Sequence, residues 1–532
     1  MAQVDFPVNP PPDESQAPTR LVTNNLHPQS WKFQDYFTFN TDHKVIGIQY
    51  LVTAFVFYFI GGLIAITFPT KLVTPDSNFL NPNFYNAFMI NHGTIMIFIW
   101  IILSTIGGFG NYLVPLMIGA RDMAFPKLNA IAFWLNPPAG LLLLLSFIFD
   151  GSQSGWMAYP PLNLITANNA QIFWILAIVL LVTSSILSYI NLVITILTMK
   201  VTNMKWHQLP LFCWAILVTS MLAILSIVVL VTGSAILLFN INFGTFFLNL
   251  DVGDNVIIYQ HLFWFYSRLA VYLIILPIFG IMSEVISTHT QKPIFGYQAI
   301  AYFSLAICVV GLWVWVHHLF TSQTPNWMRI LFTISTLIIA VFAGIKIFSW
   351  VTTLWSLKIR FTSAILFAIG CLSSIIMGIA PVNVHNTYYL FTHFYYVLFS
   401  SSIFGIYAGI YHWFPKMIGR MINEPWGRIH FLLTFIGTNL TFLSMHELDL
   451  QGMSRQFISL NQLSTIGIFI LGLSAISFTF NAIFSWRKGE FAGDNPWQSL
   501  TLEWTTSSPP IIENWEVLPV VTHRPYDYRN HK

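Results

Sequence analysis

Long apolar runs recur along most of this chain and limit what it can become. A hydrocarbon core about 30 Å thick is crossed by a helix of roughly 20 apolar residues. Twelve runs of about that length lie near 45–68, 87–112, 129–149, 172–199, 211–239, 256–288, 298–320, 329–355, 361–383, 389–413, 427–448 and 462–486. Backbone amides inside lipid must be satisfied within the span, so runs of this kind become helices. The expected fold is an all-α integral membrane protein of twelve transmembrane helices. Only 8% of residues are charged, against roughly 25% in a soluble domain. The net charge of +3 then reflects topology rather than a nucleic-acid surface.

Three regions follow. Residues 1–44 form a polar tail rich in proline (Pro7, Pro10, Pro11, Pro12) with no apolar core of a cleavable signal. Residues 45–486 hold the spans, and residues 487–532 form a polar C-terminal segment expected to pack on the membrane domain or a partner. Basic residues set the orientation, because cytoplasmic loops retain Lys and Arg. With the N-terminus cytoplasmic, all 23 Lys and Arg fall on that side except Lys71, Arg329 and Arg455 outside and Arg268 and Lys346 within spans. Both termini are therefore expected in the cytoplasm. Cys213, Cys308 and Cys371 each sit alone in a span and read as packing residues. Any thiolate-held copper or iron–sulfur centre must lie on another chain.

Polar rings are costly in hydrocarbon, so intramembrane histidines are functional candidates by default. His92, His317, His318 and His393 fall well inside spans. One such ring could be a packing residue; four, two of them adjacent, favour heme or copper ligation. In Tyr388–Leu398, residues 393 and 395 lie about 200° apart on a helix and face opposite sides. A histidine at both would serve two hemes, yet position 395 is Tyr.

Several motifs resemble subunit I of the heme-copper terminal oxidases, in family order from about residue 31 to 515. They are Asn91-His92-Gly93-Thr94, Gly110-Asn111-Tyr112-Leu113-Val114-Pro115, Asp122-Met123-Ala124-Phe125-Pro126, Trp156 to Leu162, His317-His318, Gly344-Ile345-Lys346-Ile347-Phe348-Ser349-Trp350, Tyr411-His412-Trp413-Phe414-Pro415-Lys416 and Leu502-Glu503-Trp504 through Pro510. The resemblance implies that His393 binds the high-spin heme and His92 the low-spin heme, whose second ligand position is Tyr395. A phenolate is a poor ligand for a heme that shuttles between Fe(II) and Fe(III).

The same resemblance implies a copper on His317 and His318 plus a third histidine, but that position is Arg268, which cannot ligate. The internal proton donor position is Ala270, while Tyr272 is kept. Asp122, Asn111 and Asn129 match the mouth of one proton route. Lys346, Thr336, Ser283 and Tyr272 match another, with Glu284 a candidate partner for the lysine. His385 with Asn386 stands where a magnesium-binding pair is expected. Arg455 with Gln456 stands where two arginines meet heme propionates.

One heme is expected and two are possible, with copper at most weakly held. Implied partners are subunits II and III, lipid, and cytochrome c or quinol as donor. Three functions stay open. The first is a divergent subunit I with one high-spin heme that binds dioxygen or nitric oxide. The second is a proton-pumping oxidase that reduces dioxygen to water. The third is a cofactor-free assembly subunit. The location implied is a bacterial inner or internal membrane.

Overall fold

The computed structural model describes residues 32–73, 80–160, 162–166, 168–244, 254–320, 324–355, 359–379, 393–451 and 458–528. Among these residues the long elements are all helices: α1 His43–Val73, α2 Pro82–Ile118 and α3 Pro126–Phe149, α4 Asn169–Thr198, α5 Leu211–Phe243 and α6 Asp254–Thr290. They continue with α7 Tyr297–Gly311, α8 Asn326–Leu354, α9 Ser363–Met377, α10 Tyr395–Ile418, α11 Glu424–Gln451 and α12 Ile458–Lys488. Nine are long and apolar enough to cross a bilayer, while α7 and α9 are shorter. The chain is an all-α, multi-pass membrane protein.

Burial separates inner from outer helices. The apolar windows of α2, α6 and α10 are 83, 94 and 89% buried, whereas that of α8 is 17% buried. An outer helix turns apolar side chains to lipid, and α8 exposes Trp327, Ile330, Leu331, Ile334 and Val341. Small residues set the closest crossings. A side chain on Gly437 of α11 would come within 2.9 Å of Leu471 and 3.0 Å of the Gly467 carbonyl on α12.

Two expected spans are interrupted. The run 298–320 is helical only to Gly311, and Val314–Leu319 is a separate 3-10 turn carrying both adjacent histidines. Gly311 is packed flush, since a Cβ there would lie 2.7 Å from the Tyr272 ring. The run 361–383 is helical from Ser363 to Met377. Elsewhere the inner helices widen, with Ile95–Gly110 in α2 and Tyr395–Ser400 in α10 adopting π-helical turns. Such turns are frequent at functional sites.

The C-terminal segment lies across the helix ends that start α1 and finish α2. Asn514 is fully buried at φ +66, a left-handed conformation that Asn tolerates. Its Nδ2 lies 2.9 Å from His43 Nε2 and 2.9 Å from the Ala120 carbonyl. Lys44 Nζ donates to Asn514 Oδ1 and to the Ile512 carbonyl, both at 2.9 Å, and pairs with Asp42 at 3.1 Å.

Candidate heme and gas-binding site

His92 lies in the first turns of α2, which Asn81 caps by accepting from the Asn83 amide at 2.9 Å, with Pro82 in the first position. Its Nδ1 donates to the Gly61 carbonyl of α1 at 2.9 Å. At the start of α10, His393 Nδ1 donates to the Gly378 carbonyl just beyond α9. His317 Nδ1 meets Thr336 Oγ1 at 2.9 Å. Because that hydroxyl already donates to the Phe332 carbonyl at 2.8 Å, the histidine is again the donor.

Three imidazoles from three parts of the chain thus carry their proton on Nδ1, which places the lone pair on Nε2. This is how a metal-binding histidine is set by its outer partner. These rings fit an axial role toward heme iron at His92 and His393.

The fourth ring, His318, lies parallel to Trp264 of α6 with centroids 4.0 Å apart and 4.4 Å from His317. Arg268 is one turn further along α6, its Cζ 5.2 Å from the centroid of Tyr272. α6 also packs on the turn that carries His317 and His318. No three of His, Cys, Asp or Glu gather into a metal-holding group among the described residues. His317 and His318, with a non-ligating arginine at the third position, are one donor short of a three-histidine copper set.

Tyr395 stacks on Phe442 of α11, with centroids 5.0 Å apart and planes 12° from parallel. His261, which shares a helix face with Arg268, has its Nδ1 engaged by Trp315 Nε1 at 3.2 Å and is exposed. It is no substitute ligand.

The proton-route candidates are separated into smaller units. Lys346 is fully buried and donates to Ser304 Oγ at 2.7 Å. The expected pairing with Glu284 is not formed, because Glu284 instead accepts from the Phe212 amide and Tyr526. Ser283 accepts from Trp350 Nε1 at 3.0 Å, and Thr336 serves His317. Ala270 and Tyr272 are buried.

At the other mouth Asp122 accepts from the Met123 amide at 2.7 Å. Burial, with Asp42 adding to it, pushes its carboxyl up to about 6, against the pull of Lys44. Asn111 donates to the Gly107 carbonyl at 2.8 Å. Asn129 is fully buried, with neither amide atom hydrogen-bonded. Asn191 and Thr195 of α4 hold the backbone of Phe125 and Ala124 at 2.9 Å, and nothing in their spacing marks that role. His385, Asn386 and Arg455 lie outside the described residues.

The fold and site define a multi-pass helical membrane protein with buried, Nδ1-anchored histidines of the kind that hold heme. The chain belongs to the family described as Cytochrome C and Quinol oxidase polypeptide I, whose model matches residues 45–471. It is 64% identical to "Cytochrome c oxidase subunit 1" of Thermostichus vulcanus over 99% of this chain and 97% of that one. The corresponding protein of Synechocystis sp. is 55% identical over 96% of each, and that of Bacillus subtilis 37% over 92% and 81%. Heme is accordingly expected in this chain.

Proposed function

We propose that this chain is the heme-bearing subunit I of a membrane oxidase-type complex, and that its high-spin site binds a diatomic gas without reducing it. The observation that carries this is Arg268, a half-buried cation on the helix that packs against the His317–His318 turn, at the position where a third copper ligand is expected. A heme on His393 would offer an open axial position to dioxygen or nitric oxide. Arg268 supplies a fixed positive charge and N–H donors, which favour negative charge on a ligand held nearby. Ala270 can neither hold nor pass a proton. Tyr395, stacked on Phe442, gives His92 no second imidazole, which argues against a conventional low-spin partner. Subunits II and III are the implied neighbours, with cytochrome c or quinol the implied donor.

A second reading is supported more directly by the comparisons. Relatives that match nearly the full chain at 64 and 55% identity are named cytochrome c oxidase subunit 1, which favours a working oxidase. Lys346 and Asp122 suit that reading.

Metal analysis of the purified complex separates the two, combined with reduced-minus-oxidised spectra with and without carbon monoxide. One heme per chain and no copper supports gas binding. Two hemes, one copper and oxygen turnover supports the oxidase and removes the first reading. The double change Arg268→His with Ala270→Glu is expected to raise copper content without restoring turnover, since Tyr395 remains.

A further inference from the structure

Away from the histidines, two carboxyl groups are buried where the C-terminal segment meets the helix ends. Glu284 of α6 is 1% exposed and Glu503, in the 3-10 turn Leu502–Thr505, is 0% exposed. Each is hydrogen-bonded through one oxygen only. Glu284 Oε1 accepts from the Phe212 amide at 3.1 Å and from Tyr526 Oη at 2.5 Å. Glu503 Oε1 accepts from Thr501 Oγ1 at 2.8 Å and Trp413 Nε1 at 3.4 Å. The Oε2 atom of each is buried with no hydrogen-bond partner.

Neither carboxyl has a cation at bonding distance. Lys416, whose charge acts on Glu503, donates to the carbonyls of Asp494, Thr506 and Ser507 at 2.7–3.2 Å rather than to either carboxyl. The two sites are joined by one ring contact: Phe212, whose amide donates to Glu284, packs 5.6 Å from the ring of Trp413, whose indole donates to Glu503. The remaining titratable groups facing the pair are Cys213 of α5, Tyr297 of α7, and Tyr526 and Tyr528 of the C-terminal segment. All four are neutral acids in such surroundings and offer no compensating positive charge.

Two like charges buried with only Lys416 in electrostatic reach, and no cation at bonding distance, are too costly to keep, so the pair must retain at least one proton. Burial likewise pushes the Glu503 carboxyl above its ordinary range, although Thr501, Trp413 and Lys416 pull the other way. A supply route is at hand. A cavity of about 240 Å³ opens at Thr501, lined also by Met117, Gln208, Thr505 and His523 among others, with neither carboxyl in its wall. Thr501 is at once a cavity wall and the donor to Glu503, and its hydroxyl also meets Ser499 Oγ at 3.0 Å.

We propose that Glu284 and Glu503 form a proton-storing pair on the C-terminal face, loaded from this cavity through the Thr501 hydroxyl. Loading is a plain acid–base step. A hydronium that reaches the cavity from bulk water gives its proton to the Thr501 oxygen and becomes water, Thr501 passes its own hydroxyl proton on, and a carboxylate oxygen of Glu503 becomes O–H. The pair is independent of whichever gas chemistry the heme site performs.

The test is infrared difference spectroscopy of the intact purified complex, reading the carbonyl stretch of protonated carboxylic acids at neutral pH. The expected result is a protonated-acid band that is lost or displaced in both Glu503→Gln and Glu284→Gln. A band unchanged in both variants, or absent from the parent protein, overturns the proposal. A second variant, Thr501→Val, keeps the shape of the residue while removing its hydroxyl. After transfer to deuterium oxide its band is expected to shift at least ten-fold more slowly than the parent's, and an equal rate overturns the route. Heme absorbance and the thermal unfolding midpoint report which variants are folded.

Discussion

Asn514 ties together two loops and a helix start with a single amide. Its replacement by Ala strands the Ala120 carbonyl and leaves Lys44 one partner short. Each buried polar group left unsatisfied costs about 1–3 kcal/mol, so Asn514→Ala is expected to cost about 3 kcal/mol. A clear fall in the thermal unfolding midpoint of the solubilised protein checks this. Asp122 carries a pH signature. Its carboxyl is raised from 3.8 to about 6, so the folded chain binds this proton more tightly than the unfolded chain does. Its contribution is fully present below 3.8 and is lost as pH rises through 6, a total change of at most about 3 kcal/mol. Asp122→Asn is therefore expected to flatten the stability profile between those values and to raise the midpoint at neutral pH. An unchanged profile would assign the slope to another group.

At the scale of helices, the α11–α12 crossing depends on two glycines facing each other. Gly437→Val must displace Leu471 or the Gly467 backbone, and overpacking of this kind costs roughly 1–3 kcal/mol. Lower yield and a lower unfolding midpoint are the expected readouts, while Gly344→Ala, with open space around its Cβ, serves as the neutral control. Hydropathy made the helices legible, because lipid demands apolar length and little else. It could not show where α7 stops. Val314 and Val316 are as apolar as their neighbours, and only packing of Tyr272 against Gly311 distinguishes the break. Site residues were legible where chemistry is rare in lipid, as with His92, His317, His318, His393 and Lys346. Their partners were not. The Gly61 and Gly378 carbonyls carry no side-chain signal, Ser304 looks like any small helix residue, and Glu284, one candidate partner for Lys346, turns to other neighbours.

For the whole molecule, the basic residues place both termini on the cytoplasmic side as a proposal the fold can be asked about directly. A tag fused after Lys532 is expected to resist protease in intact cells and to be cut once the membrane is opened. Cleavage in intact cells would reverse the orientation. The contacts of Asn514 also carry a consequence in time. It meets His43 across 471 positions of sequence, so the first helix leaves the ribosome long before its clasp is made. Until the last segment emerges, His43 and Lys44 must be tended by water, lipid headgroups or an insertion factor. A ribosome that stalls before Asn514 leaves a bundle inserted but unlatched.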